Sequence, residues 1–202
     1  MIFENLLFIN IMVGSEMGVA LFDSGAQKTV VSESFLRRCN CDFLTETVNA
    51  GNNNGNVILL GYDVINMYKW IYNPTMHTLD ISDSDMTIKE NLVCYDGFPI
   101  INISSHGQSY NAGIDTGLTE TILGKNVKCE NCKPVYIEDD VVGIGTAEKM
   151  YVQMIPKFKV DFEGAEVELH NITMQDKIYG APEGMDILLG MDFFDGIVRF
   201  KK

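Results

Sequence analysis

The chain has 202 residues, enough for one domain or two small lobes, and its 28 acidic against 15 basic residues give a formal charge of −13. The acidic excess is scattered along the sequence, which leaves no positive face for nucleic acid or an anionic membrane. No apolar run reaches the length of about 18 residues that a membrane span needs, and the start lacks the basic region and cleavage site of a signal peptide, so a soluble, cytoplasmic protein is expected.

Residues Asn5 to Val13 alternate and are rich in Leu, Ile and Phe, which predicts a strand that ends at Gly14. Gly18 to Phe22 predicts a second strand, and Asp23-Ser24-Gly25 leaves it in a tight loop. Lys28 to Val31 is β-branched, and Ser32 has the chemistry of an N-cap for a short helix through Arg38. Asn49 to Asn56 is turn-forming throughout and predicts a hairpin tip around Asn52. Val57 to Tyr72 is a long apolar run that holds the only tryptophan, Trp70, and His77 to Asp85 reads as a polar surface excursion.

The pattern then starts again. Ile100 to Ile103 and Ser109 to Ile114 predict strands that run into Asp115-Thr116-Gly117, and the two aspartates are 92 positions apart. The register holds without a gap on both sides: Ile9-Asn10-Ile11 falls on Ile101-Asn102-Ile103, Ala20 on Ala112, Thr29 on Thr121 and Val30 on Ile122. We read the sequence as an internal duplication of one β unit, with lobes at 1–97 and 98–202, each supplying one carboxylate. Gly143-Ile144-Gly145 predicts a second hairpin tip, with Ile144 as far beyond Asp115 as Asn52 is beyond Asp23. Tyr151 to Phe162, Ala165 to Ile172 and Ile197 to Phe200 complete the predicted strands, and the sparse 3.6-residue periodicity makes the fold class all-β. Aligning Asp96-Gly97 with Asp195-Gly196 sets Lys89-Glu90-Asn91 against Leu188-Leu189-Gly190, so the first copy is expected to have a degraded apolar element beneath its aspartate loop.

The five cysteines suit a reducing compartment. Cys39 with Cys41 and Cys129 with Cys132 could supply four zinc ligands, but they lie at comparable places in the two copies, where a twofold would hold them apart. Reduced thiols, with no metal and no cofactor, are expected. His77, His106 and His170 stand apart, without a Ser or Cys partner in a triad-like context.

A carboxylate that closes an apolar strand, followed by a hydroxyl and a glycine, is costly to bury without a partner or a function. If the duplicated unit folds about a local twofold, Asp23 and Asp115 become neighbours and hold one proton between them. Such a pair offers a base to a water and an acid to a carbonyl oxygen. Ser24 and Thr116 are expected to lock the two loops, while Gly25 and Gly117 admit a peptide backbone.

Asp23-Ser24-Gly25-Ala26, Asp115-Thr116-Gly117, the predicted hairpins and Ile187-Leu188-Leu189-Gly190 together resemble the retropepsin-like aspartic proteases, in a single-chain fused form. The resemblance spans nearly the whole chain. It implies two β-barrel lobes related by a pseudo-twofold and a monomer with an intrachain pseudo-dimer. It also implies a polypeptide substrate and substrate contacts at Gly25, Gly117, Asn52, Gly143, Ile144 and Gly145. The competing expectation is a peptide-binding pseudo-protease that keeps the groove and has lost efficient catalysis through an irregular first lobe.

Overall fold

The computed structural model describes residues 6–39, 46–48, 57–73, 78–82, 93–95, 98–129, 135–143, 146–178, 180–194 and 200–201. The described chain is mostly β-strand, as the alternation predicts. It begins with a hairpin of β1 (Phe8–Val13) and β2 (Glu16–Phe22), turned at Gly14, whose φ of 60° only a residue without a β-carbon adopts easily. Next come β3 (Val30–Ser32), helix α1 (Glu33–Cys39), β4 (Glu46–Val48), β5 (Val57–Leu60) and the one-turn helix α2 (Tyr62–Ile65). These strands form a sheet in the order β1-β2-β5-β3-β4. β5 slots between β2 and β3, parallel to the first and antiparallel to the second.

Strands β6 (Lys69–Asn73) and β7 (Thr78–Ser82) follow as an antiparallel pair. The expected single run over Val57 to Tyr72 is therefore two strands parted by α2. The break falls at Gly61, where a β-carbon would meet the Lys28 carbonyl carbon at 2.4 Å, so only glycine passes. Of the expected surface excursion at His77 to Asp85, residues 78–82 form β7, which pairs with β6 and leaves Asp80 and Ile81 exposed; His77 lies outside the described residues.

The second half contains β8 (Val93–Tyr95), β9 (Phe98–Ser105), β10 (Gln108–Ile114), β11 (Ile122–Gly124), β12 (Val135–Gly143), β13 (Thr146–Phe162), β14 (Ala165–Gln175) and β15 (Ile187–Leu189). A 3-10 turn over Met191–Phe194 and β16 (Phe200–Lys201) end the described chain. The turns His106-Gly107 and Glu163-Gly164 have positive φ at both positions, the geometry of tight hairpins between right-twisted strands. The sheet order is β12-β13-β14-β11-β15-β10-β9-β8, and β13 also pairs with β9 through Asp161 and Ser104. That contact closes six strands, β9-β10-β15-β11-β14-β13, into a barrel. β15 sits between β10 and β11, parallel to one and antiparallel to the other, as β5 does between β2 and β3.

This recurrence overturns the expectation of a degraded element in the first half. Ile58-Leu59-Leu60-Gly61-Tyr62-Asp63 occupies the place of Ile187-Leu188-Leu189-Gly190-Met191-Asp192. The offset there is 129, not 92, because the second half carries 37 more residues between its aspartate and this hexapeptide. The expected hairpin tip at Asn52 lies outside the described residues; the described strands on either side of it, β4 and β5, are separated in the sheet by β3.

One apolar cluster runs through both halves. Phe22, Tyr62, Ile65, Trp70 and Tyr72 join Ile101, Ile114, Leu123, Phe193 and others within it. Trp70 packs edge-on against Phe22 at 5.5 Å between ring centroids, and Tyr72 packs against Phe194 across the halves at 5.7 Å. Each such burial contributes about 1.5–3 kcal/mol. β16 adds to β6, tying the end of the described chain to the first half. Among the described residues no helix is long and apolar enough to cross a membrane.

Candidate active site

The two aspartate loops meet. Each begins where a core strand ends: the Asp23 N–H donates to the Leu60 carbonyl at 3.0 Å, and the Asp115 N–H donates to Leu189 at 2.9 Å. The inserted strands β5 and β15 thus hold the two aspartates in the same way, each by the last leucine of Ile-Leu-Leu-Gly.

The hydroxyl residues lock the loops to one another. The Ser24 N–H donates to the Thr116 hydroxyl at 3.0 Å, and the Thr116 N–H donates to the Ser24 hydroxyl at 3.1 Å. Each hydroxyl in turn donates to a strand carbonyl of the opposite half, Ser24 to Ile114 at 2.7 Å and Thr116 to Phe22. Ser24 and Thr116 are fully buried, so these four bonds form in a low dielectric where each partner would be costly to lose.

Asp23 and Asp115 come together above this lock. The Asp23 Oδ1 accepts from the N–H of Gly25 at 3.0 Å and of Ala26 at 2.9 Å, and the Asp115 Oδ1 accepts from Gly117 at 2.9 Å. A side-chain hydrogen bond joins the two carboxyl groups. Burial pushes both carboxyls above the ordinary range. For Asp23 the N–H groups of Ala26 and Gly25 and the bond from Asp115 offset part of this. For Asp115 the negative charge of Asp23 adds to burial, and its pKa is raised to about 8. The pair therefore keeps one proton between its two carboxyls at neutral pH.

A second layer, which the sequence reading missed, braces each loop. The Thr29 hydroxyl donates to Asp63 Oδ1 at 2.8 Å and accepts from the Gly61 N–H at 3.0 Å. The Thr121 hydroxyl donates to Asp192 Oδ1 at 2.7 Å and accepts from the Gly190 N–H at 3.2 Å. Asp63 is exposed, whereas burial holds Asp192 above its ordinary value and leaves its Oδ2 without a hydrogen-bond partner. The signal was present in the sequence as two hexapeptides identical at five of six positions.

Of the remaining expected contacts, Gly25 and Gly117 lie at the dyad. Gly143 ends β12 opposite Thr146, and Ile144 and Gly145 lie outside the described residues. The expectation of five reduced thiols is corrected: Cys129 is disulfide-bonded, which removes it as a thiolate ligand, while Cys39 is a buried thiol at the end of α1. Cys41 and Cys132 lie outside the described residues. His106 packs beside Phe158, and His170 pairs with Glu168 on the surface of β14.

The chain matches no protein-family model and no curated protein.

Proposed function

We propose that this chain is an aspartic endopeptidase of the retropepsin-like kind, with two lobes at 1–97 and 98–202 fused in one monomeric chain and related by a pseudo-twofold. The observation that carries the reading is the joined pair of carboxyls above a reciprocal Ser24–Thr116 lock. A local twofold also accounts for the pairing of β6 with β16. Ile71 and Tyr72 stand at the places of Phe200 and Lys201, and the partners are Ile71 with Lys201 and Tyr72 with Phe200.

In this reading Asp23 is the base and Asp115 the acid. A water between them attacks the peptide carbonyl carbon as its proton passes to Asp23, and Asp115 gives its proton to the carbonyl oxygen. Collapse of the resulting diol breaks the C–N bond. The proton on Asp23 goes to the departing nitrogen, and a diol hydroxyl returns a proton to Asp115, which restores the starting pair. No covalent intermediate is required. The substrate is an extended polypeptide that runs over Gly25 and Gly117, with the β12–β13 hairpin, including Gly143, Ile144 and Gly145, as the flap that closes on it. Among the described residues only the second half has such a hairpin.

A pseudo-protease that only binds peptides is disfavoured by the site itself. A binding groove gains nothing from two buried carboxyls held above their ordinary pKa, whereas acid–base hydrolysis uses that state. The test is incubation with a denatured protein and a peptide library between about pH 4 and 7. Cleavage that disappears in both D23N and D115N supports the enzyme. Peptide binding without cleavage in the unsubstituted chain, or cleavage that survives both substitutions, overturns it.

A further inference from the structure

The two halves differ most where the second closes its barrel. There the β13–β14 hairpin lays Phe158, Val160, Phe162, Val167 and Leu169 into the core, and Asp161 pairs with Ser104 on the outer edge of β9. The Ser105 hydroxyl donates to the Lys159 carbonyl at 2.6 Å and fastens the same seam. The first half is 37 residues shorter in this stretch, and α1 covers only part of the equivalent surface, packing Phe35 against Gly18 and Ile58. Met12 holds the place of Ser104, and no described strand pairs with β1 except β2.

Three features mark what is left open. First, a groove of about 490 Å³ lies beside β1, lined by Ile9, Ile11, Val31, Leu60 and Trp70, with the half-exposed Ile81 at its rim. Second, the Phe22 N–H donates to the Leu7 carbonyl, so residues 7, 9 and 11 bond to β2 and the N–H and C=O of Asn10 and Met12 face away from it. Third, the indole N–H of Trp70 is buried without an acceptor. A lipid would fill the groove and leave the edge amides unmet. A polypeptide strand satisfies both.

We propose that this groove docks an apolar β-strand or hairpin of a partner polypeptide, which adds antiparallel to the outer edge of β1 as β13 does to β9. Alternate side chains of the partner enter the groove, and its backbone meets the outward amides of Asn10 and Met12. The second half shows the chemistry that fits: apolar residues at every other position, polar ones between. A second copy of this chain is disfavoured as the occupant, because two chains of charge −13 repel. The inference does not depend on the catalytic reading, since the groove and the dyad share no residue.

The test uses the full-length chain carrying D115N, so that a bound peptide stays whole. The probe is a synthetic peptide of residues 157–170 carrying D161K, E166K and E168K, exposed positions whose change keeps the apolar alternation and relieves like-charge repulsion. Trp70, the sole tryptophan, reports directly on the groove. The expected result is a saturable shift in its emission that a scrambled peptide does not produce. Asn10→Pro, which removes an outward N–H on an edge strand, and Ile81→Glu at the rim should each weaken binding about tenfold or more while leaving the fold intact by circular dichroism. No saturable shift, an equal response to the scrambled peptide, or unchanged affinity in both variants overturns the proposal. So does a peptide-free dimer in sedimentation that Asn10→Pro dissolves, which would make a second copy the occupant.

Discussion

A β-carbon built on Gly25 would lie 2.2 Å from Cγ of Asp115, and the reverse holds between Gly117 and Asp23 at 2.5 Å. Each glycine is thus the floor on which the opposite carboxyl rests. Gly25→Ala or Gly117→Ala must push the two acids apart, and displacement of reacting groups by about 1 Å costs on the order of 100-fold in rate. We expect kcat to fall by that factor in either variant. The stability loss should stay at about 1–3 kcal/mol, read by urea unfolding.

The shared proton makes activity and stability depend on pH in a defined direction. Asp115 titrates at about 8 in the folded chain against an ordinary 3.8, so the folded state binds a proton that the unfolded state has released between those values. Stability from this group is complete below about pH 4 and is lost as pH rises through about 8. D115N, which cannot ionise, should therefore be more stable than the unsubstituted chain at pH 7, by on the order of a few kcal/mol. The gap in Tm should vanish near pH 4. Peptidase activity should follow a bell whose alkaline limb falls near pH 8 and whose acid limb lies above the ordinary aspartate value, because burial raises Asp23 as well.

Thr116→Val keeps the shape of the side chain and strands two buried partners, the Ser24 N–H and the Phe22 carbonyl. The expected loss is about 2–4 kcal/mol, at about 1–3 for each unsatisfied group with partial relaxation. Because Ser24 and Thr116 act as a unit, Ser24→Ala with Thr116→Val should cost clearly less than the two single losses added. A double-mutant cycle by chemical unfolding checks this; strict additivity would show that the lock is not cooperative.

Thr29→Val and Thr121→Val probe the bracing layer on the two sides. Each removes the acceptor of a glycine N–H and a donor to an aspartate. Asp63 is exposed and water replaces the lost donor, whereas Asp192 is buried with one oxygen already unpaired. Thr121→Val should therefore cost more, about 2–3 kcal/mol against about 1 for Thr29→Val. Equal losses in urea titrations would contradict the asymmetry.

The hairpin of β1 and β2, its counterpart in β9 and β10, and the two aspartate loops were legible because the signals are local: alternation, a glycine turn, and a constant offset of 92. A single register also misled. Setting Asp96-Gly97 on Asp195-Gly196, an offset of 99, put Lys89-Glu90-Asn91 against Leu188-Leu189-Gly190. The true counterpart, Ile58 to Asp63, lies beyond a difference of 37 residues in length, which no fixed register can bridge.

By itself, then, the sequence determined the strand class, the two acid-bearing loops and the hydroxyl and glycine beside each acid, since each depends on residues adjacent along the chain. Only the tertiary structure decided that Asp23 and Asp115 touch, that β5 and β15 slot between the strands flanking each loop, and that no described strand but β2 pairs with β1. Those outcomes depend on pairings between segments tens of residues apart. Their free energy comes from burial and hydrogen bonds across the fold, which local propensity does not encode.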